Sequence, residues 1–133
     1  MASGVYNRFK ANIFNKEVDL EADTIKVALY NSSHAFTATN TDYTTTNELA
    51  TSGGYTQGGA TLAGKAVTEA ATTKWDATDA SWTSATFTAA HAVIYDSTVT
   101  NDLIASIDFG GNQTVSTGTL TIQWHADGII TLA

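Results

Sequence analysis

The hydrophobic period of this 133-residue chain changes near residue 24, and that change constrains its fold more than any other feature. From Ile25 to Leu29, apolar residues recur at every second position, which is typical of a strand that buries one face. The chain has no proline and ten glycines, so its turns must be built from Gly, Asn, Asp and Ser. We therefore expect a β domain over residues 17–133.

Short strands separated by turn signals fill most of this domain. We predict them near residues 61–68, 72–76, 82–88, 91–96, 102–109, 118–124 and 128–132. The dipeptide Asp127–Gly128 is a strong hairpin signal, and we expect it to join the last two strands. About eight short strands at this spacing indicate a mainly β fold, an antiparallel β-sandwich or jelly-roll-like domain.

An amphipathic helix is predicted over residues 3–16, with Ser3 as its N-cap. Its apolar face would be formed by Val5, Tyr6, Phe9, Ile13 and Phe14. Residues 1–16 also carry the basic residues Arg8, Lys10 and Lys16 and no acidic one, whereas residues 17–133 carry a net charge of −10. Two interpretations remain open. The helix packs on its own sheet, as amphipathic helices usually do, or it is an arm that docks on a neighbouring subunit through Val5, Arg8, Phe9, Lys10 and Ile13.

Residues 31–60 are rich in Thr, Asn, Ser and Gly and show no sustained hydrophobic period. We predict one short helix in this segment, from Asp42 to Leu49, and a loop over residues 52–59. A connection of this length is unusual in a compact domain, and such connections often carry binding residues.

The overall charge and hydropathy exclude several classes of partner. The net charge of −7 disfavours nucleic acid and anionic membrane surfaces, since both attract basic proteins. No apolar run approaches the ~18 residues of a membrane-spanning helix, and polar residues interrupt any signal-peptide core near the N-terminus. We therefore expect synthesis and assembly in a host cytoplasm. The lack of cysteine excludes disulfides and thiolate metal sites.

No catalytic or cofactor-binding motif is complete. The segment Gly59–Lys65 nearly matches a phosphate-binding loop, but Ala66 stands where that loop needs Ser or Thr, and strand-like residues follow it. His34, His91 and His125 lack the spacing of metal ligands, and no Ser, His and Asp set can be singled out. We expect no enzyme, no cofactor and no metal site.

The three tryptophans are candidates for the core or for an interface. We predict that Trp124 is a core residue, because it alternates with polar neighbours. Trp75 and Trp82 border a polar turn at Asp76 and Asp79. For these two residues we give equal weight to a role in the core and a role in an interface. The two aspartates are expected to form that turn, with a cation at a subunit axis as the alternative.

Six segments that together span most of the chain occur in a distinctive order. They are Asp23-Thr-Ile-Lys-Val-Ala-Leu29, Gly53-Gly-Tyr-Thr-Gln-Gly-Gly-Ala-Thr-Leu62 with Gly64-Lys65, Ala92-Val-Ile-Tyr-Asp96, Leu103-Ile-Ala-Ser-Ile-Asp-Phe-Gly-Gly111, Gly118-Thr-Leu-Thr-Ile-Gln-Trp124 and Gly128-Ile129. In this order they resemble a widespread group of small auxiliary virion structural proteins of tailed phages, of the head decoration type.

The resemblance implies a virion component without catalytic residues. The expected role is that of a capsid decoration (cement) protein, which binds the lattice of the major capsid protein at the capsid surface and stabilises the head. Such proteins are commonly homo-oligomers, with a trimer favoured. The alternative is a tail- or fibre-associated module that binds a receptor or glycan through residues 31–60 and aromatic residues such as Tyr43 and Tyr55.

Overall fold

The computed structural model describes residues 3–133 and confirms the mainly β fold. Its elements are strand β1 (Gly4–Val5), helix α1 (Asn7–Phe14) and strands β2 (Ile25–Tyr30), β3 (Ala60–Thr61), β4 (Ala66–Thr68), β5 (Thr73–Asp76), β6 (Ala80–Asp96), β7 (Asp102–Ile122) and β8 (Ile130–Leu132). Antiparallel pairing gives a five-stranded sheet in the order β1-β7-β6-β2-β3 and a three-stranded sheet in the order β4-β5-β8. The two sheets form a β-sandwich-like fold.

The largest element is a hairpin of two long strands, β6 with 17 residues and β7 with 21. The sequence predicted four shorter strands here, because Gly110 and Gly111 resemble a turn. Both glycines have positive φ angles, 80° and 145°, but they lie in a bulge where residues 109–112 face the single residue Ala90. Glycine adopts such angles without strain, so β7 bends at this point and continues pairing with β6 beyond it.

The hairpin predicted at Asp127–Gly128 is wrong. The dipeptide does form a turn, with Gly128 at a φ of 102°, but β8 then pairs with β5 of the other sheet and not with β7. The backbone N–H of Ile129 donates to the carbonyl of Trp75 at 2.7 Å, which directs the chain towards the three-stranded sheet. A two-residue turn signal is local, so it cannot determine which strand accepts the returning chain.

Strand β2 is buried on both faces, although its alternation predicted burial of one. Ile25, Val27 and Leu29 lie in the main core, as expected. Ala28 and Tyr30 on the opposite face are also buried, in a second cluster that residues 31–60 cover. Residues of the segment 31–60 therefore cover the second face of β2, and the pattern within β2 does not predict this cover.

The segment 31–60 is ordered without forming the helix predicted from Asp42 to Leu49. Glu48 instead makes an isolated bridge with Tyr30, and Asp42 makes one with Asp102. A run of three threonines at residues 44–46 accounts for the difference, because β-branched side chains lose rotamer freedom in a helix.

The N-terminal residues are built into the five-stranded sheet. Val5 pairs with Ala105 in β1, so the helix begins after Tyr6 and not at Ser3, and it is shorter than the predicted range of 3–16. The Ser3 hydroxyl accepts a hydrogen bond from the backbone N–H of Asp108 instead of capping the helix. Helix α1 then packs against β7.

Candidate functional site

The two tryptophans that the sequence left between core and interface are core residues. Trp75 is 2% exposed and Trp82 is 7% exposed. The indole Nε1 of Trp75 donates to the carbonyl of Leu20 at 3.0 Å, so its polar group is satisfied within the chain. An interface role for these two side chains is therefore wrong. Trp124, predicted as core, is only half-buried and packs at the edge of the main core.

The apolar face predicted for the N-terminal helix is not one continuous surface. Phe9 is 2% exposed and lies in the main core, while Val5 is half-buried in β1. Only Ile13 of the three predicted apolar contacts is exposed, at 43%. An outward docking face formed by Val5, Phe9 and Ile13 is therefore wrong, because α1 uses Phe9 to pack on its own sheet.

A polar contact fixes the helix on β7. The buried carboxylate of Asp102 accepts a hydrogen bond from the Asn12 side-chain amide at 2.8 Å, and Arg8 approaches the same oxygen at 3.9 Å. Thr100 donates to the other carboxylate oxygen at 3.0 Å. Arg8 therefore has an acidic neighbour within its own chain, but its side chain remains 40% exposed, and its contact with another subunit stays a prediction.

The C-terminal end of α1 remains unpartnered. Phe14 is 90% exposed beside Ile13, and Lys10 and Lys16 are also exposed. Neither lysine makes an ion pair with any residue of the described range 3–133. We call Lys10, Ile13, Phe14 and Lys16 the helix-end patch.

An apolar groove of about 380 Å³ lies beside β1, where β7 ends and the chain turns towards β8. Its half-buried apolar lining is formed by Val5, Ile107, Ile122, Trp124, Ile129 and Ile130. We call it the Trp124 groove. The backbone N–H of Trp124 donates to the Asp79 carboxylate at 3.0 Å, and Asp127 is exposed in the adjoining turn. Two basic residues lie at this turn: Lys74, whose Nζ donates to the Ala126 carbonyl, and the exposed His125, whose Nδ1 lies 3.5 Å from the Asp127 carboxylate.

A second cavity of about 380 Å³ lies under residues 31–60 and has a mixed polar and apolar lining. The side chains that line it include Tyr30, His34, Asn40, Thr44, Thr46 and Asn47. His34 Nε2 lies 3.1 Å from the hydroxyl of Ser106, and the His34 and His91 rings meet edge to face at 5.1 Å. Burial, with a smaller contribution from His91, lowers the pKa of His34. The sequence could not single out this cluster, since its members lie on separate elements.

The Ser106 and His34 pair does not form a nucleophilic site. Ser106 is fully buried in β7, so no substrate carbonyl can reach its hydroxyl. His91 lies 3.9 Å from Asp108, a separate contact that does not orient His34. The hydroxyl and imidazole therefore satisfy each other inside the fold.

A buried glutamate organises the segment 31–60. Glu48 accepts hydrogen bonds from the hydroxyls of Tyr43 and Tyr55 and from the backbone N–H of Gly58. Burial and the adjacent Glu48 carboxylate raise the pKa of both tyrosines well above the usual range. Tyr55 is buried and Tyr43 stacks on Tyr95, so these rings serve the interior and are not the exposed glycan contacts that the sequence suggested.

A pair of aspartates is placed where β2 meets the β6–β7 turn. Asp96 is 1% exposed, and its Oδ1 accepts from the backbone N–H groups of Thr98 and Val99. Its Oδ2 has no hydrogen-bond donor among the described residues. Burial and the neighbouring Asp23 carboxyl raise the pKa of Asp96 to about 7.

The near match to a phosphate loop has a packing explanation. A Cβ on Gly59 would lie only 1.9 Å from the Val27 carbonyl oxygen, so glycine is required for β3 to approach β2. Lys65 is followed by strand β4, as the residues there predicted, and not by the helix of a phosphate loop. Across residues 3–133, no three His, Asp or Glu side chains are grouped to hold a metal ion. Nor does this range contain a helix long and apolar enough to cross a membrane.

Comparison with known proteins assigns no family. No family model matches the chain, and neither the curated proteins nor the solved structures include a significant match. Its function is therefore inferred from its own surfaces.

Proposed function

We propose that this chain is a structural protein of a phage virion, a capsid decoration (cement) protein that binds the lattice of the major capsid protein and stabilises the head. The observation that carries the proposal is a pair of apolar surfaces, the helix-end patch and the Trp124 groove. Apolar surface of this kind marks contacts with other proteins. The ordered resemblance to small virion proteins supports the same role.

The rest of the molecule is consistent with a protein that binds another protein and does not catalyse a reaction. Two sheets with a continuous core make a rigid support, and the buried Ser106 and His34 pair is inaccessible to substrate. The net charge of −7 argues against nucleic acid as the bound partner. A head shell is built of another protein, and apolar surfaces of this chain can bind to such a partner.

The test is binding to heads that lack this component. Wild-type protein should co-sediment with such heads, and the double variant Lys10→Glu, Phe14→Ser should bind more weakly if the helix-end patch contributes to attachment. The matched control is Val67→Ser, because Val67 is as exposed as Ile13 but lies on β4, away from the patch. Failure of the wild-type protein to bind heads would contradict the decoration role.

Deletion of residues 1–16 is unsuitable for this test. It would remove strand β1 and the core residue Phe9 together with the patch. Lost binding would then report unfolding as well as lost contact.

A second function, receptor or glycan binding by a tail-associated module, is favoured by the polar groups that line the cavity under residues 31–60. Asn40, Thr44, Thr46 and Asn47 present the amide and hydroxyl groups that bind sugar hydroxyls. Binding of the wild-type protein to host cells or purified surface glycans, lost in the variant Asn40→Ala, Thr46→Ala, would support this function over decoration. Binding to heads alone would favour decoration.

A further inference from the structure

Phe14 is the most exposed large apolar side chain of the described residues. Its ring is 90% exposed at the end of α1, and Ile13 beside it is 43% exposed. The two exposed side chains form an apolar patch of the kind that a second molecule can bury. Rearranging α1 cannot bury them, because Phe9 in the core and the bond between Asn12 and Asp102 fix the helix on β7.

The Trp124 groove is the concave apolar surface that matches this protrusion. Its lining comes from four strands of the sandwich, β1, β6, β7 and β8, together with the segment between the last two, so it is held in shape by the fold. Trp124 offers an aromatic ring that is half-buried, and aromatic pairs gain additional energy from offset or edge-to-face contact. Phe14 of the same chain is not among the residues that line the groove.

The charges around the two surfaces are complementary. Lys10 and Lys16 flank the apolar residues of the helix-end patch, and Glu17 is the acidic residue that follows the patch in the chain. Asp79 and Asp127 lie next to the groove, at Trp124 and in the adjoining turn. His125 of the lining lies 3.5 Å from Asp127, and Lys74 donates to the Ala126 carbonyl of the same turn. Complementary charges favour this docking over contact between two helix ends, which would bring like charges together.

We propose that the Trp124 groove binds Ile13 and Phe14 of a second copy of this chain. This inference rests on the proposed function, in that it takes the chain to be an assembling subunit, and it identifies the contact. Each copy has one helix-end patch and one groove, so the contact joins two different surfaces. Such head-to-tail contacts close into a ring when the rotation permits, and a trimer is the smallest ring beyond a dimer.

The first experiment measures self-association of the full chain without heads, by sedimentation equilibrium over a range of concentrations. Phe14→Ser should weaken association by about 10- to 100-fold, the equivalent of one buried phenylalanine. Val67→Ser should leave it unchanged. A wild-type protein that stays monomeric, or an oligomer that Phe14→Ser does not weaken, overturns the inference.

The second experiment uses the absence of cysteine to identify the two surfaces. Asn15 is exposed next to Phe14, and Gln123 is exposed and lines the groove. A mixture of an Asn15→Cys variant and a Gln123→Cys variant, both of which keep Phe14, should therefore form a disulfide-linked dimer under mild oxidation. Either variant alone should cross-link far less. Efficient linking of Asn15→Cys with itself would show a symmetric contact between helix ends and overturn the inference.

These assays contain no heads, so their failure is distinguishable from failure of the proposed function. A protein that decorates heads but fails to cross-link between residues 15 and 123 keeps the decoration role and loses this contact. A protein that cross-links but does not bind heads keeps the contact and loses the role.

Discussion

Replacing Asp96 by Asn should stabilise the protein at neutral and alkaline pH. The Asp96 carboxylate is 1% exposed, its Oδ2 has no hydrogen-bond donor among the described residues, and the Asp23 carboxyl lies beside it. An asparagine keeps the Oδ1 acceptor for the N–H groups of Thr98 and Val99 and places an amide donor towards Asp23. The substitution therefore removes a buried charge and supplies the missing hydrogen bond.

The magnitude follows from the pKa. Burial and the Asp23 carboxyl raise the pKa of Asp96 from 3.8 in the unfolded chain to about 7 in the folded protein. Between these values the folded state holds a proton that the unfolded state has released, so the free energy of unfolding falls as pH rises through this window. Each pKa unit corresponds to about 1.4 kcal/mol, and allowing for solvent access to Asp23 the loss is on the order of 2–4 kcal/mol.

Urea denaturation at roughly pH 5 and pH 8 covers most of this window. The lowered pKa of His34 changes stability in the opposite direction over the same range, so the test compares the wild type with Asp96→Asn, which both keep His34. From the lower to the higher pH, the stability of the wild type should fall relative to that of Asp96→Asn, and Asp96→Asn should be the more stable protein at the higher pH. Glu69→Gln is the matched control, since Glu69 is exposed and should behave as the wild type. The same change with pH in the wild type and in Asp96→Asn, or a destabilised Asp96→Asn at the higher pH, would refute the reasoning.

Two further predictions concern the packing of α1 and of residues 31–60. Phe9→Ala should lower the free energy of unfolding by about 3–5 kcal/mol, because it leaves a cavity in the core. Phe14→Ala should change the free energy of unfolding by less than about 0.5 kcal/mol, because Phe14 is exposed. Equal effects of the two substitutions in chemical denaturation of the dilute protein would contradict this assignment. Glu48→Gln should cost about 1–3 kcal/mol and speed proteolytic cleavage within residues 31–60, because an amide N–H₂ would face groups that donate hydrogen bonds to the carboxylate. An unchanged cleavage rate with unchanged stability would show that Glu48 does not organise the segment.

The local periods of the sequence predicted the class of the fold and the kind of each main element. The spacing of Phe9 and Ile13 predicted a helix, and the alternation from Ile25 to Leu29 predicted a strand, because side-chain direction repeats at 3.6 residues in a helix and at two in a strand. Turn signals at Asp96 and Asn101 likewise flank the single turn between β6 and β7. These features depend on residues that are close together in the chain, so they can be predicted from the sequence.

The candidate site could be predicted only in part. Lys10 and Ile13 were identified as contact candidates and are exposed, and Phe14 was placed on the same apolar face. The sequence offered no means of separating them from Phe9, since all four lie on one short helix. Which of them face β7 depends on the way β1 pairs with β7 and sets the start of the helix.

The tertiary structure alone decided which surfaces remain free. Trp82 is enclosed between elements far apart in sequence, whereas Trp124 is left at the edge of a groove because β8 leaves β7 and joins β5. The facing carboxyls of Asp23 and Asp96 also arise from pairing between β2 and β6. The burial and the pKa of a side chain depend on the residues that surround it in space. The sequence does not show which residues these are, because they become neighbours only when the strands pair.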